Sequence, residues 1–98
     1  MTIKVFAEYR VPVENVETIR GSKAAIISKL KAAGAANVRL FRGPDQPGLL
    51  VEDCDVADME TYIKVKKMRD PSDPSFDPEL HRLVGEPAKI SIWAFEEM

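Results

Sequence analysis

One cysteine, Cys54, and one histidine, His81, are all that 98 residues supply of the side chains most used for disulfides and transition metals. A lone thiol cannot close an internal disulfide or build a cysteine zinc site. That scarcity suits a reducing compartment, and a cytoplasmic location is expected. A surplus of positive charge is missing too, since 14 basic against 16 acidic residues leave a net charge of −2. Phosphate backbones need the opposite balance, so nucleic acid is not an expected partner. No apolar run approaches a membrane span, and Ile3-Lys-Val-Phe6 near the start already reads as a strand. Neither membrane nor signal peptide is expected. The chain also lacks an internal repeat, a glycine-rich phosphate loop, a nucleophile elbow and any Ser-His-Asp spacing. What remains is a length suited to one modest core, a single domain over residues 1–98.

The glycines and prolines that are present concentrate. Gly43-Pro44-Asp45-Gln46-Pro47-Gly48 separates two short runs rich in β-branched, aliphatic and aromatic residues. This predicts a β-hairpin between Asn37 and Cys54. Upstream, Ile3 to Val11 alternates with period two and is ended by Pro12. From about Glu14 to Ala33 the spacing turns helical, with Val16, Ile19, Lys23, Ile26, Ile27, Leu30 and Ala33 on one stripe. Gly34 is placed to close that helix, and Gly21 marks a break near Arg20. Downstream, Asp55 with Asp58 three residues on predicts the cap of a helix carrying Val56, Met59, Tyr62, Ile63 and Lys66 on one side. Asp70–Pro78, crowded with aspartate and proline, is expected to be a flexible flap beside a cavity mouth, with Phe76 as its apolar anchor. Asp77 then caps and Pro78 opens a short helix to Val84, stopped by Gly85 and Pro87. Lys89–Phe95 is the last strand. The resulting βαββαβ order is the α+β, ferredoxin-like arrangement, a four-stranded antiparallel sheet with helices on one face. Another α+β sandwich with a different strand order is the alternative.

Strand parity sorts the residues into two faces. Ile3, Val5, Ala7, Tyr9, Val38, Leu40, Leu49, Val51, Ile90, Ile92 and Ala94 suit packing against helices. The other set holds Lys4, Phe6, Glu8, Arg10, Arg39, Phe41, Leu50, Glu52, Cys54, Ser91, Trp93 and Phe95. Four of the seven aromatic residues lie in that second set, too apolar a patch to leave in water. Either a second copy of the chain covers it, or a ligand does, or both. Dimer packing with charges at the rim is one reading. A pocket is the other, with Phe6, Phe41, Trp93 and Phe95 as walls and Glu8, Arg10, Arg39 and Glu52 orienting a polar ligand. Opposite signs there predict ion pairs, Arg39 with Glu8 or Glu52.

With this order and this face, the chain resembles the dimeric α+β-barrel superfamily. The passage Leu49-Leu-Val-Glu-Asp-Cys-Asp-Val-Ala-Asp-Met-Glu-Thr-Tyr62 is similar to that group's join between third strand and second helix, and Phe76-Asp-Pro-Glu-Leu80 to its short extra turn. The resemblance spans nearly the whole chain but contains no diagnostic short motif. It implies a homodimer of ferredoxin-like subunits packed sheet to sheet around a central cavity, binding a small organic molecule. Members include cofactor-free monooxygenases of antibiotic biosynthesis, haem-degrading enzymes, muconolactone isomerases and stress-responsive proteins. Cofactor-independent oxygenation or isomerisation is therefore the implied chemistry. A non-catalytic dimeric binding or stress-related protein with a filled barrel is the competing expectation, and fold alone does not choose between them.

Candidate chemistry is thin. His81 is the sole possible histidine acid or base, on a short helix beside Arg82. Glu52, Asp53, Asp55 and Asp58 lack calcium-loop spacing, and no metal or cofactor is expected. Acidic neighbours disfavour a reactive Cys54. Lys64, Lys66, Lys67 and Arg69 read as a solvated helix face. The third strand lacks the aromatic and basic pattern with which RNA-recognition modules of the same strand order stack bases.

Overall fold

Alternation decides the first strand. In the computed structural model, which describes residues 2–85 and 88–98, Ile3, Val5, Ala7 and Tyr9 of β1 (Ile3–Arg10) are buried and the residues between them are not. β2 (Ala36–Arg42) and β3 (Leu49–Val56) form the hairpin, and β4 (Ile90–Glu96) ends the sheet. The strand order is β2-β3-β1-β4 with every neighbouring pair antiparallel. The helices are α1 (Val16–Gly21), α2 (Lys23–Ala32), α3 (Met59–Met68) and α4 (Pro78–Val84). Their buried residues Ile19, Ile26, Leu30, Val65, Leu80 and Leu83 share one core with Ile3, Val5 and Tyr9 of β1. All four therefore cover the same side of the sheet. This is the ferredoxin-like α+β fold.

β3 carries the main correction. Its residues directly opposite Tyr9, Ala7, Val5 and Ile3 are Leu50, Glu52, Cys54 and Val56. Facing residues share a side of the sheet, so these four point to the helices, and all four are buried. Leu50, Glu52 and Cys54 were expected on the other side. A one-residue change of phase moves every side chain of a strand across the sheet. The outer face consequently gains Leu49, Val51, Asp53 and Asp55. The other three strands have the expected parity, with Leu40 and Ile92 inward and Phe41, Trp93 and Phe95 outward.

The long first helix breaks at Ser22, as Gly21 led one to expect, and a short 3-10 turn at Val13–Asn15 precedes it. Gly34, at φ +108°, closes α2. Gly34 N donates to Lys31 O and Ala35 N to Leu30 O, which satisfies the last free carbonyls. Asp58 caps α3 by accepting from Thr61 N at 2.8 Å, whereas Asp55 still belongs to β3. The buried side of α3 is Val65, with Tyr62 and Met68 partly covered, while Met59 and Ile63 are exposed. In the segment expected to be a flap, Ser72, Pro74 and Ser75 are exposed and Phe76 is the anchor, as expected. Asp70 and Asp73 accept from the backbone of Ser72 and Ser75, folding two successive turns, and Phe76 is buried in the core. Asp77 then caps α4 at Pro78 as expected. Pro87, expected to stop α4, lies outside the described residues.

The hairpin turn is anchored just past the end of β1, where Val11 N donates to Gly48 O at 2.9 Å. Gly48 sits at φ +83°, and a Cβ there would meet Val11 O at 2.3 Å. Gly21, by contrast, has open space around it. In urea unfolding, Gly48→Ala is expected to lose about 2–4 kcal/mol, and Gly21→Ala to gain about 0.5–1 kcal/mol. Equal small effects at both sites would contradict this account of the turn.

Candidate functional site

On the outer face, charge and aromatic surface are interleaved. Lys4 Nζ on β1 lies 2.8 Å from Asp55 Oδ1 and 3.3 Å from Asp53 Oδ1 on β3, and Arg39 Nη2 on β2 lies 3.0 Å from Asp53 Oδ2. Register places these residues beside each other, since Lys4 faces Asp55 and Arg39 faces Asp53. The ammonium of Lys4, followed by the Asn37 amide, holds the Asp55 carboxyl below the usual carboxylate range, and Asp55 in turn raises Lys4. Asn37 reaches Asp55 from the bulge in β2, where its backbone is left-handed at φ 53°. Arg39 thus pairs with Asp53, not with Glu8 or Glu52. Its guanidinium also lies over the Phe41 ring, 5.3 Å from the centroid.

The aromatic part surrounds this ladder. Phe6 meets Phe95 edge to face at 5.9 Å. Phe41, Trp93 and Phe95 remain 47%, 44% and 57% exposed. At the far end of β1, Glu8, Arg10, Lys89 and Ser91 border a hollow of about 310 Å³. Arg10 donates to Gln46 Oε1 at 2.8 Å. Among the described residues, Glu8 has no hydrogen bond or ion pair. Phe6, Glu8, Arg10, Arg39, Phe41, Trp93 and Phe95 are therefore brought to one face, and Glu52 is not.

Glu52 lies under the sheet in a cluster that sequence reasoning missed. Tyr9 Oη donates to Glu52 Oε2 at 2.8 Å, and Arg69 donates through Nε to Oε1 at 2.6 Å and through Nη2 to Oε2 at 2.9 Å. Arg69 Nη1 donates back to Met68 O at 3.1 Å. Arg69 is 2% exposed and Glu52 5%. Burial opposes the guanidinium's charge, but the Glu52 carboxylate outweighs it and raises Arg69. Burial, then Glu52, raises the Tyr9 phenol, and the same two causes push the Cys54 thiol up to about 11. Cys54 is thus an inert core thiol. The only sequence signal for Arg69 was its position at the end of a helix, which also fits a solvated cation.

His81 is on α4, on the helix side of the sheet, with its ring 5.3 Å from that of Phe76. It does not join the outer-face residues. Among the described residues no group of three His, Cys, Asp or Glu side chains is gathered as a metal site requires, and no helix is long and apolar enough to cross a membrane. A second opening, a cleft of about 290 Å³, lies on the helix side between α1, the start of α2 and the β2 edge.

No family model matches the chain, and no curated protein matches it. Solved structures do. A conserved protein from Methanosarcina mazei is 20% identical, with 95% of this chain and 91% of that one covered at a TM-score of 0.65. A variant of SnoaB, a cofactor-independent oxygenase from Streptomyces nogalater, is 14% identical over 98% and 92%, at 0.61. An antibiotic biosynthesis monooxygenase is 13% identical over 98% of both chains, at 0.69. At such identities the likeness is one of fold. The chain has the ferredoxin-like α+β fold that antibiotic-biosynthesis-monooxygenase-like proteins share.

Two outcomes follow from the buried cluster. Arg69→Met, leaving Glu52 unpaired, is expected to lose about 3–5 kcal/mol in urea unfolding, and Glu52→Gln with Arg69→Met to recover part of that loss. Additive losses would contradict the coupling. For Cys54, the folded thiol holds its proton more tightly than the unfolded thiol, whose value is near 9. Its contribution is intact below about pH 9 and is lost as pH climbs towards about 11. Cys54→Val should flatten this part of the stability profile, and an unchanged slope would contradict the assignment.

Proposed function

We propose that the protein works as a homodimeric α+β barrel, two copies packed through their outer sheet faces around a cavity that binds a small organic molecule, which it oxygenates without a cofactor. The exposed aromatic face carries this reading. Phe41, Trp93 and Phe95, backed by Phe6, form a patch too apolar for a surface without a partner. Covering it stabilises by roughly 25 cal/mol per Å² of apolar area. Lys4, Arg39, Asp53 and Asp55 among those rings are already paired within the chain, so a second sheet strands none of these four when it closes over them. The fold shared with a cofactor-independent oxygenase supplies the reaction class as an analogy.

Glu8 is the group left for chemistry. Dioxygen accepts electrons from an organic molecule readily only when that molecule is electron-rich, as a carbanion or phenolate is. A cofactor-independent site therefore needs a base beside an acidic substrate hydrogen. Glu8 borders the hollow with Arg10 and Ser91 and has no partner among the described residues to neutralise it. An aryl ketone with an acidic methylene fits this chemistry. Glu8 takes one methylene proton, the carbanion reduces dioxygen, one oxygen atom becomes the new carbonyl and the other leaves as water.

Light scattering at micromolar concentration is expected to give a dimer for the wild type and a monomer for Trp93→Glu, which puts an unpaired charge into the interface. A wild-type monomer would contradict the barrel. With anthrone as probe, wild-type protein should raise dioxygen uptake above the spontaneous rate. Glu8→Gln should remain dimeric and lose that increment by about 100-fold or more. A dimer that never accelerates uptake is a binding protein with no catalysis.

A further inference from the structure

The cleft on the helix side carries charge of one sign. Its floor is apolar, with Val16 and Ile19 of α1 against Leu40 and Leu50 of the sheet and Phe41 at the β2 edge. Its rim holds Arg20, Lys23 and Arg42. Acids outnumber bases in the chain, 16 to 14, yet no acidic residue lines this opening. Arg20 has a loose exposed neighbour in Glu17 at 3.5 Å. Among the described residues, Lys23 and Arg42 have no ion pair.

Local structure explains how three cations come together. Arg20 and Lys23 are three residues apart across the junction of α1 and α2, so both look out along one side of the helical segment. Arg42 faces Leu50 across the β2–β3 pair, which puts it on the helix side of an edge strand. Arg42 is exposed there, and a stem of its length can lie along apolar floor with the guanidinium in water. The cluster is repulsive when empty and is relieved by a bound anion. At about 290 Å³ the cleft is at the small end of ligand sites, which run from about 300 to 1,000 Å³.

We infer that this cleft binds a small organic anion, a carboxylate on an apolar body no larger than a single ring or a medium-length acyl chain. The carboxylate meets Lys23 and Arg42, with Arg20 beside them, and the body lies on Val16, Ile19, Leu40 and Leu50. Of its lining only Phe41 is shared with the aromatic face, and the three cations with Val16, Ile19, Leu40 and Leu50 are on the helix side, so the site is separate from the surface through which that face would dimerise.

The test is a titration of uniformly ¹⁵N-labelled full chain with octanoate, octan-1-ol and octylamine in turn, read by amide shifts. Octanoate should give saturable shifts at residues 16–23 and 40–42 with none at Trp93 or Phe95, and octanol should bind about tenfold more weakly. Lys23→Gln and Arg42→Gln should each weaken octanoate about tenfold and leave the melting temperature in place. Lys31→Gln, on an exposed part of α2, should change nothing. The inference is overturned if octanol or octylamine binds as tightly as octanoate, if the shifts centre on the outer face, if no probe saturates, or if the double variant binds octanoate as wild type does.

Discussion

The pairing of Glu52 with Arg69 sets the polarity of the whole sheet. A carboxylate buried this deeply needs a charged, hydrogen-bonding partner. Arg69 supplies two donors in a fork and Tyr9 a third. The partners come from β1, β3 and the end of α3, so the pair joins both central strands to a helix. Glu52 inward also means Asp53 and Asp55 outward. The ion ladder of the outer face is thus a consequence of an interaction on the opposite side of the sheet.

That ladder changes the character of the bare face. Unpaired charges among aromatics would resist desolvation, whereas Lys4, Asp53, Asp55 and Arg39 present a compensated surface with rings around it. Such a surface suits burial against a second copy. The hollow beside Glu8 and the helix-side cleft differ in charge. Among the described residues, the outer hollow contains an acid without an ion pair, Glu8, beside Arg10 and Lys89, and the helix-side cleft contains two bases without one, Lys23 and Arg42.

The fold was legible where the pattern was unambiguous. Alternation in β1 and β4, the Gly43–Gly48 turn, the break after Gly21 and the Asp77-Pro78 start of α4 all came from local rules. β3 did not, because Leu49-Leu50-Val51 has no alternation and Glu52-Asp53 are both acidic, so neither hydropathy nor charge fixes its phase. Its phase is fixed by Arg69, 17 residues away, which reads locally as a surface cation. α3 misled in the same way, since exposed Met59 and Ile63 imitate a core stripe that belongs to Val65. In the loop at 70–77 aspartates close two turns and Phe76 is the buried anchor that the composition suggested, while Ser72, Pro74 and Ser75 stay exposed. Of the outer-face residues, Phe6, Glu8, Arg10, Arg39, Phe41, Trp93 and Phe95 were found by parity alone. Glu52 was misplaced, and the helix-side cleft, built from three separate segments, left no trace in the sequence.

Trp93 is the chain's one tryptophan and stands at 44% exposure on the face in question. Its emission maximum, followed from nanomolar to high micromolar protein, measures directly whether that face becomes covered. The account predicts a blue shift with rising concentration, following the same midpoint as the change in mass. Emission that stays at the red, water-exposed position across the whole range would contradict it.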